Sequence, residues 1–195
     1  FRPMKQAVID LGTNTFHLLI AEQQPDSGSY ATLFRESRPA KIGQAGINQG
    51  VITEEATARA LAVLRYFAEK LAEFGVDPAQ VATIGTSAIR VAKNQAEFIE
   101  TVRRETGLRI RAISGDEEAG LIYQGVRAAG ALAQDATSLV MDIGGGSVEF
   151  ILGGAEQSFW QQSFEIGGQR LLERYVTTDP PTPAQLARLR DYVQE

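Results

Sequence analysis

Two short stretches of this sequence carry residue types that could hold a phosphate chain. Asp10-Leu11-Gly12-Thr13-Asn14-Thr15 and Asp142-Ile143-Gly144-Gly145-Gly146-Ser147 each place a carboxylate at the end of an apolar run and follow it with a turn of glycine and small polar residues. Such a turn lets backbone N–H groups aim at one spot, which suits an anion. A carboxylate beside a phosphate makes chemical sense mainly when Mg²⁺ lies between them. The two stretches are copies. Residues 7–22 align without a gap on 139–154, placing Asp10 on Asp142, Gly12 on Gly144 and Thr15 on Ser147 at a constant offset of 132 (142 minus 10). Asp10, Gly12, Thr13, Asn14, Thr15, Gly144, Gly145, Gly146 and Ser147 are therefore the candidate phosphate-binding set. Two ordinary hairpins with glycine-rich turns are the plain alternative; an Asp kept in both copies favours a clamp built of two facing turns.

Hydrolysing a terminal phosphoanhydride also needs charge neutralisation at phosphorus and a positioned water with a base beside it. Arg90, in Thr86-Ser87-Ala88-Ile89-Arg90, is the candidate cation, because a guanidinium grips phosphate with two parallel bonds. Glu118 is the candidate base. Ser114-Gly115-Asp116-Glu117 reads as a capping box, with Glu117 reaching back to Ser114. Glu118 then lies about 100° further round the helix and is free to point elsewhere. Asp116 gains from the helix dipole and needs no other role. Acidic first turns are common, so a structural reading of these acids stays open here.

Glu149 falls opposite His17 in the repeat, so the two copies differ where one could be catalytic. Period-two alternation sets Ser147 and Glu149 on one face of their strand, and Asp142, Ser147 and Glu149 could converge on one Mg²⁺ or its waters. Asp142 and Glu149 are thus the candidate metal ligands; an exposed strand glutamate is the bland alternative. His17, the only histidine, reads as a hydrogen-bonded core or cleft-wall residue and not as a catalyst. Arg38 and Lys41 read as loop cations, either touching a polyanion or merely solvated. Phe159 and Trp160 read as core or interface.

These residues must be positioned by alternating elements. Strands are expected over 6–11, 15–22 and 30–36 as a meander, with the polar connection 25–29 before the third. Thr53 opens a long amphipathic helix stopped at Gly75. A strand over 81–84, a helix over 96–105 ended by Gly107 and a strand over 108–113 complete an α/β unit. A helix from Ser114 to about Ala129 follows, then strands over 138–143, 148–152 and 159–166. Helices over 168–175 and from a second capping box at Thr182-Pro183-Ala184-Gln185 close the pattern. Two lobes are expected, 4–125 and 126–195, the second cut short.

With 195 residues, 44% of them hydrophobic, the chain can bury a real core. A net charge of −5 and a pI near 5.1 argue against nonspecific nucleic-acid binding and against an acidic membrane surface. Any polyanion must be met by locally concentrated positive charge. The absence of cysteine excludes disulfides and thiol chemistry. No apolar run reaches the roughly 20 residues that span a bilayer, and no signal peptide is read, so a cytoplasmic location is the expectation. Residues 1–3 ahead of Met4 are set aside.

Asp-Leu-Gly-Thr-Asn-Thr-Phe-His-Leu-Leu-Ile, Thr-Ser-Ala-Ile-Arg, Ser-Gly-Asp-Glu-Glu-Ala and Asp-Ile-Gly-Gly-Gly-Ser-Val-Glu-Phe, in this order and at these separations, resemble the exopolyphosphatase and guanosine pentaphosphate phosphohydrolase family. That family is a branch of the actin, Hsp70 and sugar-kinase superfamily. The match covers almost the whole chain. Thr13 and Thr15 stand where serines are usual but keep the hydroxyl; Gly85 stands where Ala is common, and Asp116 at a variable position. The resemblance implies a ribonuclease-H-like, actin-like ATPase fold with a phosphate cleft between two lobes. It implies Glu118 as the catalytic base, assisted by Glu149 and Arg90, and Mg²⁺ or another divalent cation as cofactor. It further implies release of orthophosphate from inorganic polyphosphate, or removal of the 5′ γ-phosphate of guanosine pentaphosphate, the alarmone of the stringent response. A homodimer is the assembly it suggests. Rival classes are a superfamily kinase or ATPase, and a non-catalytic polyphosphate or alarmone sensor.

Overall fold

The computed structural model describes residues 4–25 and 28–195; 1–3 and 26–27, the latter within the expected polar connection, lie outside the described residues. β1 (Lys5–Leu11), β2 (Thr15–Gln23) and β3 (Tyr30–Pro39) form the expected antiparallel meander. β3 runs past residue 36 because it pairs with the full length of β2, ending at Thr15↔Pro39. Arg38 therefore sits in a strand and not in a loop. Thr53 caps α1 (Glu54–Glu73) by accepting from the Ala56 N–H. The chain continues through β4 (Ala82–Gly85), the short α2 (Ser87–Arg90), α3 (Gln95–Thr106) and β5 (Ile110–Ala112).

The sheet order is β3-β2-β1-β4-β5, with β1, β4 and β5 mutually parallel. This is the ribonuclease-H-like arrangement of an actin-like lobe. Alternation sends Ile9, Leu11, Phe16, Leu18 and Ile20 inward against Leu64, Phe67 and Leu71 of α1, and all eight are fully buried. Each such side chain contributes about 1.5–3 kcal/mol by leaving water.

α4 (Gly115–Ala128) is followed by β6 (Ser138–Ile143), β7 (Val148–Gly153) and β8 (Ser158–Phe164), an antiparallel sheet in the order β6-β7-β8. α5 (Gly168–Tyr175) and α6 (Pro183–Gln194) complete the described chain, α6 with both bonds of the Thr182/Gln185 capping box. Ala119 and Tyr123 of α4 are buried with Leu132 and Ile151 in a second, separate core. The expected boundary at 125/126 thus cuts through α4, whose apolar side packs with the second sheet; the hydrophobic content of a helix does not say which sheet will cover it. Phe159 (60% exposed) and Trp160 (44%) are not core residues.

The duplication extends further than the turns. Asp10 pairs with His17 and Asp142 with Glu149 at equivalent registers. On the third strands, His17 pairs with Ser37 and Glu149 with Ser163. In both copies the pair is hydrogen-bonded side chain to side chain at 2.6 Å.

Candidate active site

Both turns adopt one local shape: the Gly144 N–H donates to the Ser147 carbonyl at 3.0 Å, and a Cβ at Gly12 or Gly144 would stand 2.8 or 3.1 Å from the carbonyl oxygen three residues on. They face each other at close quarters. A Cβ on Gly145 would meet the Asn14 amide and Thr13 Cβ, and one on Gly146 would run into the Thr13 and Ser87 hydroxyl oxygens. Gly167 seals the arrangement from behind, since its Cβ would lie 2.5 Å from the backbone of Gly145 and Gly146. Main-chain bonds hold the first turn: Ala40 and Lys41 donate to the Asn14 carbonyl at 2.9 and 2.8 Å, and Gly43 to the Thr13 carbonyl at 3.1 Å.

Between the turns lies a cavity of about 330 Å³. All nine candidate phosphate-binding residues line it, joined by Glu118, Asp142, His17, Thr86 and Ser87. Its walls thus carry three carboxylates and no lysine or arginine. His17 is a cleft-wall residue as expected, its Nδ1 2.6 Å from Ser37 Oγ. Glu149 is brought close but not into the lining: it is 1% exposed, and its Oε1 accepts from Ser163 Oγ. Arg38 is occupied by Glu36 at 2.6 Å and lies over the Tyr66 ring.

Glu118 leaves the first turn of α4, where its N–H donates to the Ser114 carbonyl. Only half of the expected capping box forms. Ser114 Oγ accepts from the Glu117 N–H at 3.1 Å, but the Glu117 carboxylate pairs with Arg111 instead of reaching back. The outcome for Glu118 is nevertheless as expected, with Asp116 and Glu117 exposed and Glu118 turned inward. Burial raises the Glu118 carboxyl to about 7; the Arg90 hydrogen bond opposes the rise, while the charges of Glu149 and Asp10 add to it. Burial likewise raises Asp10, against the pull of His17 and with the push of Asp142.

Arg90 is engaged on every side. Its Nη1 donates to Glu118 Oε2 at 2.7 Å and to the Ile113 carbonyl at 3.3 Å, and its Nη2 donates to Glu165 Oε1 at 2.8 Å. Glu165 also accepts from Ser87 Oγ at 2.5 Å and from Arg170 Nη2 at 2.6 Å. Arg170 continues to the Gly146 carbonyl at 2.8 Å and the Ile47 carbonyl at 3.1 Å. Glu165 and Arg170 were not among the expected site residues. Their signal is an acid and an arginine bracketing Gly167-Gly168 directly after a strand, a pattern that shows no role until the glycine pair is seen to back onto the second turn.

A divalent cation fits this cavity. The three carboxylates need positive charge before they can admit a polyanion, and the buried Asn14 Oδ1 has no hydrogen-bond partner. An orphaned acceptor of this kind complements a metal-bound water. Among the described residues no group of three or more carboxylate or histidine side chains is arranged to hold a metal alone.

The model of the Ppx/GppA phosphatase family matches residues 19–195. The chain belongs to that family. An exopolyphosphatase from Cytophaga hutchinsonii is 41% identical over 98% of this chain, with a TM-score of 0.90. The Aquifex aeolicus member of the Ppx/GppA family is 29% identical over 98%, with a TM-score of 0.73. This Ppx/GppA chain spans 60% of the length of each.

Proposed function

We propose that this Ppx/GppA protein is a phosphohydrolase that releases orthophosphate from the end of inorganic polyphosphate. The observation that carries the reading is Glu118: a carboxylate near pKa 7, turned into a cavity walled by two duplicated phosphate-sized turns. A base with a pKa near the working pH combines a large ionised fraction with real proton affinity.

The terminal phosphate would rest between the Gly12–Thr15 and Gly144–Ser147 turns, its oxygens met by backbone N–H groups and by the Thr13, Thr15 and Ser147 hydroxyls. Glu118 takes a proton from the attacking water as the new P–O bond forms and the bond to the rest of the chain breaks. The Arg90 pair fixes the orientation of that carboxylate. Asp142 and Asp10 would hold Mg²⁺ through one carboxylate or through its waters, with Glu149 behind them; when bound, the ion neutralises charge developing on the phosphate oxygens. Support for polyphosphate over guanosine pentaphosphate comes from the likeness to the Cytophaga enzyme.

The test is orthophosphate release from long-chain polyphosphate and from guanosine pentaphosphate, with Mg²⁺, by the full-length protein and its Glu118→Gln variant. The expected result is turnover of polyphosphate that falls by about 10²–10⁴-fold in the variant, the usual range for losing a general base. Turnover of guanosine pentaphosphate alone would replace the substrate. No release from either substrate would overturn the hydrolase reading.

A further inference from the structure

Glu165 lies in the loop between β8 and α5, and its carboxylate collects an unusual set of donors. Ser87 Oγ reaches one oxygen at 2.5 Å and Arg170 Nη2 reaches the same oxygen at 2.6 Å; Arg90 Nη2 reaches the other at 2.8 Å, with Arg90 Nε at 3.3 Å. One hydroxyl and two guanidiniums, from α2 and α5, is a donor set that matches a phosphate at least as well as a carboxylate. The exposures are uneven. The side chains of Arg90 and Arg170 are 17% and 13% exposed, that of Glu165 38%. The acid is the member that can leave; the cations are fixed, Arg90 by the Ile113 carbonyl and Arg170 by the carbonyls of Gly146 and Ile47.

The charge balance permits exchange. Glu165 and Glu118 together offset two largely buried guanidiniums beside a cavity whose own lining contains no lysine or arginine. A non-terminal phosphate, with one negative charge, would replace the single charge of Glu165, keep the two arginines compensated together with Glu118 and release Glu165 to solvent. Ser87 is the hinge of the argument, because it lines the cavity and donates to Glu165 at once. Through Ser87 the donor set therefore adjoins the cavity, as a site for the second phosphate of a chain must.

We propose that Ser87, Arg90 and Arg170 form a second phosphate subsite, that Glu165 occupies it as an internal stand-in for the anion, and that an entering phosphate chain displaces Glu165. The proposal rests on the phosphate-chain reading of the cavity. It makes Glu165 a residue that sets substrate affinity rather than a catalytic one.

The experiment measures binding of tripolyphosphate, with Mg²⁺, to full-length wild-type protein, Glu165→Gln and Arg170→Gln by titration calorimetry, with thermal melting of each protein in parallel. Removing the stand-in charge should tighten tripolyphosphate binding about 3–10-fold in Glu165→Gln. That variant should also melt lower than wild type without ligand and regain the difference when tripolyphosphate is added. Arg170→Gln should weaken tripolyphosphate binding by a larger factor than binding of single orthophosphate, because it loses the second subsite as well as its bond to the Gly146 carbonyl. Equal or weaker tripolyphosphate binding by Glu165→Gln, or a lowered melt that the ligand does not restore, would show a purely structural ion network and overturn the subsite. If wild type fails to bind tripolyphosphate at all, the phosphate-chain reading itself falls, and the subsite with it.

Discussion

Glu118 shows how a side chain can be readied by its surroundings and not by its type. Its carboxyl is held near 7 chiefly by burial, although Arg90 sits 2.7 Å away and favours the charged form. As the proposed base, Glu118 must be ionised to accept a proton, so kcat/KM should fall about tenfold per pH unit below about 7 and level off above it. A pH profile of orthophosphate release checks this, and a profile flat from pH 5 to 8 would remove Glu118 from the role. The same shift has a stability consequence of fixed sign. The folded-state pKa lies above that of the unfolded chain, so the contribution is fully present below about pH 4.5 and is lost as pH rises through about 7. Glu118→Gln, which cannot ionise, should therefore equal or exceed wild type in melting temperature at pH 8 while being far less active. The sequence made Glu118 legible because three acids in one helical turn must point in different directions. It could not show that Arg90 would be shared with Glu165, since a salt bridge 75 residues long in sequence leaves no local trace.

The elements do their work by approaching closely. The second turn is pressed between the first turn and Gly167, where a Cβ would lie 2.5 Å from backbone atoms that have no freedom to yield. Gly167→Ala should destabilise by about 1–3 kcal/mol through overpacking and cut orthophosphate release more than its stability loss explains, because the clamp itself is pushed open. Denaturant melts compared with kcat/KM separate the two effects. At this scale the hairpins were readable from alternation and from turn composition, and the copied registers followed from the copied sequence. The third strands do not read as copies in the sequence. Ser37 and Ser163 are spaced differently from their turns, and only the hydrogen bonds to His17 and Glu149 reveal the correspondence. Lys41 and Ala45 adopt positive φ angles of 48° and 60° without being glycine, so nothing in their types pointed to the loop that holds the first turn.

Two cores, one beneath the first sheet and one between α4 and the second, meet at a seam of hydroxyls, glycines and ion pairs. Such halves should open as separate units. Leu64→Ala should cost about 2–5 kcal/mol and lower hydrogen-exchange protection in β1 and β2 while leaving the amides of α4 and β7 at wild-type protection; uniform loss across both sheets would show a single cooperative unit. The two-lobed architecture is legible from the repeat, but the allegiance of α4 is not, because an apolar stripe in sequence does not say which sheet will cover it. That allegiance has a consequence for how the molecule comes into being. A growing polypeptide folds from its N-terminus as it is made, yet α4 leaves the ribosome before the strands it packs on. Glu118 therefore waits, unplaced, until β8 and the Glu165–Arg170 stretch have followed it out. The turn at Gly12–Thr15 exists early, whereas Glu118 reaches its place only when the second half is in hand, so under the proposed function a nascent chain would be able to fold its first core before it could turn over substrate.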